Sequence, residues 1–144
     1  MRKRSIINEL KLSIPALSVN ESACRSIVAA FCAQLDPNIE EISDIKCAVS
    51  EAVTNCIVHA YGGRGGIIYI TVKLCEGRKI KILIRDCGCG IEDVAQARKP
   101  LYTTGARDER SGMGFTVMES FTDKLEVSSK VGVGTRISMT KFLR

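Results

Sequence analysis

Leu10-Lys11-Leu12-Ser13-Ile14 alternates apolar and polar side chains, the period of a half-buried strand, and Pro15 closes the run. The period then lengthens. Ser18 with Glu21 three residues later is a capping-box pattern, and Ala23, Ile27, Ala30 and Phe31 line one face of a predicted helix ending near Gln34. Arg25 falls roughly opposite that face, which predicts an exposed side chain. Asp36-Pro37 predicts the start of a second helix, with proline at a tolerated first position. Ile42, Ile45, Val49, Ala52, Cys56 and Ala60 form its apolar stripe to about His59, and the glycine cluster after Tyr61 ends it.

The second half of the chain returns to the period of strands. Ile67 to Cys75 is rich in β-branched residues, Glu76-Gly77-Arg78 is a turn, and Lys79 to Asp86 is the hairpin partner, with Ile80, Ile82 and Ile84 on one face. Cys87-Gly88-Cys89-Gly90 breaks it, and Ile91 to Ala97 is a candidate short helix. Lys99 to Ser111 has no clear period and is a long loop of the kind that serves as a lid. A third helix is predicted over Gly112 to Phe121, then a last hairpin from Lys124–Ser129 and Thr135–Phe142. Helices and hairpins segregate, with no internal repeat and no linker. That order predicts one α+β domain over 1–144, a two-layer sandwich.

Composition narrows the classes. Hydrophobic residues make up 45% and charged residues 26%, aromatics only 5% with no Trp, so the core must be aliphatic. The net charge of +5 suits a ligand carrying several phosphates. The basic residues are spread along the chain, and the one cluster, Arg2-Lys3-Arg4, reads as a solvated start rather than a nucleic-acid arm, so no direct nucleic-acid partner is expected. No run approaches the roughly 18 apolar residues of a membrane span, and no signal-peptide apolar region follows the basic start. No membrane partner is expected, and the expected location is the cytoplasm. Seven cysteines without a secretory signal argue against a disulfide framework. With one histidine and no Cys-x-x-Cys they argue against zinc, and they are expected to act as reduced, small apolar residues.

Four constellations could carry chemistry. Glu51, Asn55 and His59 stand at four-residue steps beside the apolar stripe. They could point into a pocket, the amide ligating Mg²⁺ and the carboxylate acting as a base, or form a solvated helix shoulder. Asp86 shares the inward parity of Ile80, Ile82 and Ile84. It could accept a ligand amine, with Gly88 and Gly90 permitting close backbone approach, or cap a turn. Arg110-Ser111-Gly112-Met113-Gly114-Phe115 is a glycine-rich helix start that can bind phosphate, though such starts are common and it lacks both the dinucleotide and the Walker patterns. Thr135 has the inward parity of Ile137 and Met139, as a ligand-side hydroxyl or as an ordinary strand threonine.

The order of these pieces resembles the ATPase superfamily of gyrase, Hsp90, histidine kinases and MutL: Glu51 to Asn55, Asp86 to Gly90, Gly112 to Gly114, and Gly134-Thr135. Ser50-Glu51-Ala52-Val53-Thr54-Asn55, Pro100-Leu101-Tyr102-Thr103-Thr104 and Glu109 to Phe115 look like the anti-sigma F family of serine kinases, with the anti-sigma B kinases of the stress response as the nearest alternative. The resemblance implies a mixed, mostly antiparallel sheet covered on one face by helices, the Bergerat ATP-binding fold. It implies ATP and Mg²⁺ as cofactors, with Asp86 accepting the adenine amino group and Thr135 supporting it. Gly88 and Gly90 would leave room for the base, and Asn55 would hold Mg²⁺. Glu51 would act as base toward a serine hydroxyl. Thr104, Arg110, Ser111, Gly112, Met113, Gly114 and Phe115 would wrap the phosphates, with Arg110 near the γ-phosphate as a catalytic group. Implied partners are sporulation sigma factor F, an anti-anti-sigma protein phosphorylated on serine, and a second copy in a homodimer, with Arg25 contacting both proteins. Cys87 and Cys89 at the variable places of the aspartate motif, and the glycine-rich stretch after Tyr61, depart from the pattern. Two other readings are a lone histidine-kinase catalytic domain, which lacks an acceptor histidine because His59 lies within the ATP-site helix, and a binding module whose motifs are relics.

Overall fold

The computed structural model describes residues 5–99 and 114–144. Five strands form one sheet: β1 (Ile6–Pro15), β2 (Ile67–Cys75), β3 (Lys79–Arg85), β4 (Lys124–Lys130) and β5 (Gly134–Phe142). Their order is β1-β2-β3-β5-β4, and all four pairings among the described residues are antiparallel, where a mixed, mostly antiparallel sheet was expected. The reason is local: two tight hairpins supply β2–β3 and β4–β5, and the remaining contacts join chains already running in opposite senses. Alternation sets the two faces. Ile68, Ile70, Val72, Leu74, Ile80, Ile82, Ile84, Ile137 and Met139 are buried on the inner one. Leu10, Leu12 and Ile14 of the edge strand β1 follow the same parity and pack against this core.

Helices α1 (Asn20–Cys32), α2 (Ile39–Thr54), α3 (Val94–Ala97) and α4 (Gly114–Phe121) complete the described elements, with a 3₁₀ turn at Ala33–Leu35 and a π-helical turn at Asn55–Ala60 prolonging α2. Helix α2 buries Ile45, Ala48, Val49, Ala52 and Val53, close to the expected stripe. Helix α1 differs from expectation. Its buried residues are Cys24, Val28, Ala29 and Cys32, while Ile27 is 42% exposed. Two cysteines fill the positions against the core, which rotates the buried face away from Ala23, Ile27 and Ala30. Burial pushes the Cys32 thiol up to about 12, so it stays protonated and apolar. Cys56 and Cys75 are also buried, whereas Cys47, Cys87 and Cys89 are exposed; all seven are free thiols, as the absence of a disulfide framework predicts.

The helix starts also differ. No side chain caps α1, whose N-cap is Val19, so the Ser18–Glu21 box does not form. Asp36 adopts a left-handed conformation, and α2 begins at the N-cap Asn38. There the box is real: Asn38 Oδ1 accepts from the Glu41 N–H at 2.7 Å, and Glu41 Oε1 accepts from the Asn38 N–H at 2.9 Å. Glu41 Oε2 also accepts from the Arg144 N–H at 2.9 Å, tying the chain end to α2. These N–H groups hold the Glu41 carboxyl below the usual carboxylate range, assisted by Arg78 and Lys141 and opposed by burial. A lowered folded value means that Glu41 stabilises above its unfolded value and loses this as pH falls through the folded one. Glu41→Ala is expected to cost about 1.5–3 kcal/mol at neutral pH in urea unfolding. The gap to the parent should narrow as the solution is acidified; a gap independent of pH would disprove the assignment. Lys141 braces the same region from the sheet, its Nζ donating to Asp44 Oδ2 at 3.3 Å and to the Phe121 carbonyl at 3.0 Å.

Candidate functional site

The inner face of β3 ends in Asp86, which is 5% exposed. Its side chain is fixed by backbone donors: Gly88 N–H reaches Oδ1 at 3.0 Å and Thr135 N–H reaches the same oxygen at 3.2 Å. Its own N–H donates to the Thr135 carbonyl at 3.0 Å. Two N–H donors on one oxygen fix the orientation of this buried carboxylate as an acceptor. Thr135 is buried beside it, and its hydroxyl lies 2.8 Å from Ser129 Oγ.

The loop after Asp86 is wedged between two backbones. Cys89 N–H donates to the Ala60 carbonyl at 3.0 Å on the π-helical side, and Gly132 N–H donates to the Cys89 carbonyl at 2.8 Å on the β4–β5 turn. A methyl group at Gly88 would collide with the Ala60 carbonyl, and one at Gly90, which has φ +78°, would collide with the Lys130 carbonyl. Both glycines are thus demanded by close backbone approach within the protein.

Glu51 and Asn55 come from the end of α2 and the first residue of the π-helical turn, a wider helical form often seen at functional sites. Both are half-buried. They meet α4 at Gly114: a Cβ placed there would sit 3.1 Å from Asn55 Oδ1 and 3.5 Å from Glu51 Oε2. Two chain segments far apart in sequence thereby put a carboxylate and an amide over the same helix start. Two hard oxygens suit Mg²⁺, which takes few protein ligands and keeps the rest for water and phosphate. Phe115 is buried at the same helix start. Thr104, Arg110, Ser111, Gly112 and Met113 lie outside the described residues. Arg25 is not fully exposed as expected. It is half-buried and donates through Nη1 to both Glu21 carboxylate oxygens at 3.0 Å, because the core face of α1 is rotated toward it.

Three contributors lie outside the expected set of site residues. Tyr61 donates to the Ile67 carbonyl at 2.6 Å and accepts from the Cys87 N–H at 2.7 Å, pinning the aspartate loop. Burial, and next to it the Asp86 charge, push the Tyr61 phenol up, while the Cys87 N–H works against them. Ser129 Oγ accepts from the Ile91 N–H at 2.7 Å. Cys56 is buried close to Asp86; burial foremost, then that carboxylate, pushes its thiol up. The signals available for them were the inward parity of Ser129 with Val127 and the place of Cys56 in the apolar stripe predicted for the second helix.

Residues 14–141 match the histidine kinase-like ATPase domain. An anti-sigma F factor of Thermoanaerobacter sp. (strain X514) is 55% identical over 136 residues, 94% of each chain. Those of Caldanaerobacter subterraneus subsp. tengcongensis and Bacillus cereus (strain G9842) are 56% and 55% identical, each over 94% of this chain and over 94% and 93% of their own. The chain belongs to the histidine kinase-like ATPase family, among the anti-sigma F factors. Solved structures agree on the fold of this family. The RsbU and RsbW domains of Rv1364c from Mycobacterium tuberculosis superpose with a TM-score of 0.68 at 18% identity, over 94% of this chain and 32% of that one. The mycobacterial sensor histidine kinase MprB gives 0.59 at 14% identity, over 92% and 99%.

Proposed function

We propose that this anti-sigma F family member binds ATP with Mg²⁺ and transfers the γ-phosphate to a serine of an anti-anti-sigma protein, and that it binds and inhibits sporulation sigma factor F. The observation that carries the ATP half is the buried Asp86 carboxylate, anchored through Oδ1 by the Gly88 and Thr135 N–H groups. That anchoring orients the carboxylate to accept from the adenine amino group, with the Thr135–Ser129 hydroxyl pair alongside. Asn55 would hold Mg²⁺, which when bound neutralises phosphate charge. Glu51 takes the proton of the incoming serine as its oxygen bonds to the γ-phosphorus and the bond to the β-phosphate oxygen breaks, releasing ADP. The family pattern gives Thr104, Arg110 and Ser111 to Phe115 to the phosphates.

The sigma-factor half rests on the names of the relatives, which also favour sigma F over the stress-response alternative. Arg25 is proposed as the contact for both protein partners. A homodimer working in the cytoplasm completes the proposal.

Titration of ATP against the parent and Asp86→Asn tests it. The variant keeps the shape and loses the charged acceptor, so affinity should fall about ten- to a hundredfold, equivalent to about 1.5–3 kcal/mol. Phosphoserine should appear on an anti-anti-sigma domain mixed with the parent and ATP. A parent that binds no nucleotide would instead support the reading in which the protein only holds a sigma factor.

A further inference from the structure

The outer face of the sheet carries the positive charge of the molecule. Strand pairing puts Lys73, Lys79, Lys81 and Arg85 of β2 and β3 on it. From β5 and β4 come Arg136, Lys124 and Lys130, and from β1 comes Lys11. Among the described strand residues only Glu9 and Glu126 share the face, so eight basic residues stand against two acidic ones. The whole chain has 21 basic and 16 acidic residues, so everything else amounts to thirteen against fourteen. Dispersed along the sequence, the cations are collected by strand alternation into one surface.

The arrangement is not the one that stability alone would select. Arg85 pairs directly with Arg136, and Lys73 with Lys81, across neighbouring strands. Like charges directly opposite one another destabilise a sheet unless an anion lies between them. Glu9 lies opposite Lys73 and 4.0 Å from Lys11, and Glu126 lies 3.9 Å from Lys124, so among the described residues no acidic side chain forms an ion pair with Arg85 or Arg136. Arg85 is also held in place, its guanidinium 4.2 Å from the Tyr69 ring centre. A hollow of about 480 Å³ opens here, lined by Lys11, Ser13, Tyr69, Thr71, Arg85 and Arg136 among others, so hydroxyl donors accompany the cations.

We infer that this face is a docking surface for an acidic polypeptide segment of a protein partner, with carboxylates seated between the paired cations. Single-stranded nucleic acid fits less well, because it needs free aromatic platforms between the cations. Tyr69 is stacked with Arg85, and the Phe142 ring lies 5.9 Å from Lys79 Nζ. A second copy of the chain would bring two positive faces together. The surface lies on the side of the sheet away from Asp86, so its failure would leave the nucleotide reading intact, and the reverse holds too.

The test uses the full chain and a fluorescent peptide of alternating Glu and Ser, followed by anisotropy. Saturable binding is expected, weakening steeply between about 50 and about 300 mM salt. It should be absent for the Gln-Ser peptide and reduced about tenfold or more in the Arg85→Glu, Arg136→Glu double variant. Circular dichroism checks that the variant is folded; if it is not, Lys73→Gln with Lys81→Gln replaces it, with the same loss expected. No saturable binding, or binding indifferent to these changes, would overturn the inference. So would tighter binding of an oligouridylate at equal ionic strength, which would give the face to nucleic acid. A changed sedimenting mass without a change in peptide affinity would give it to a second copy.

Discussion

Glu51→Ala is expected to slow phosphoryl transfer to the partner serine by about 10²–10⁴-fold, the range for removing a positioned general base. ATP affinity should change little, because the proposed purine end of the site is built from other segments: Asp86 and Thr135 are joined by β3 and β5, whereas Glu51 stands on α2 against Gly114. Single-turnover transfer of labelled phosphate, with ATP titration run in parallel, separates the two quantities. Transfer at the parent rate would remove Glu51 from its role. A parallel collapse of ATP affinity would show that it binds phosphate instead.

Gly134→Ala should produce the largest loss of stability. Gly134 has φ +143°, and a methyl group there would strike the Asp86 carbonyl, with the Asp86 carbonyl carbon and Cys87 Cα each only 2.9 Å away. Backbone cannot swing aside as a flexible side chain can. The expected cost is about 2–4 kcal/mol from strain and displacement together. For a chain of this size that is a fall in Tm of roughly 10 °C by calorimetry. Because β5 begins at this glycine, the displacement should also loosen the Thr135 N–H bond to Asp86, so ATP binding should weaken in the same variant. A Tm within a degree or two of the parent would mean that the two strands can separate freely here.

Strand alternation made most of the sheet legible. Ile67–Cys75 matches β2 residue for residue, and the inward parity of Asp86 and Thr135 follows from period two alone. The face of α1 differs from the Ala23–Ile27–Ala30–Phe31 stripe because Cys24 and Cys32, left out of that stripe, are buried completely while Ile27 is not. The start of α2 was misplaced because proline at a first turn is permissive, whereas the Asn38–Glu41 reciprocal bonds are specific. Sequence spacing showed that Glu51 and Asn55 share a helix side. That they face Gly114 depends on α2 packing against α4, a tertiary fact with no local trace. Tyr61 and Ser129 escaped for the same reason: each bonds backbone brought near by the sheet, and a lone hydroxyl has no period.

The place of β5 within the sheet has a consequence for synthesis. It lies between β3 and β4, yet it is the last of the five strands to leave the ribosome. Until it emerges, β3 has a bare edge of unpaired N–H and C=O groups, and Asp86 lacks one of its two donors. Emergence of β5 therefore turns a chain with an open, association-prone edge into one with a finished acceptor, and a nascent chain stalled before residue 134 should associate through β3 and show no affinity for nucleotide.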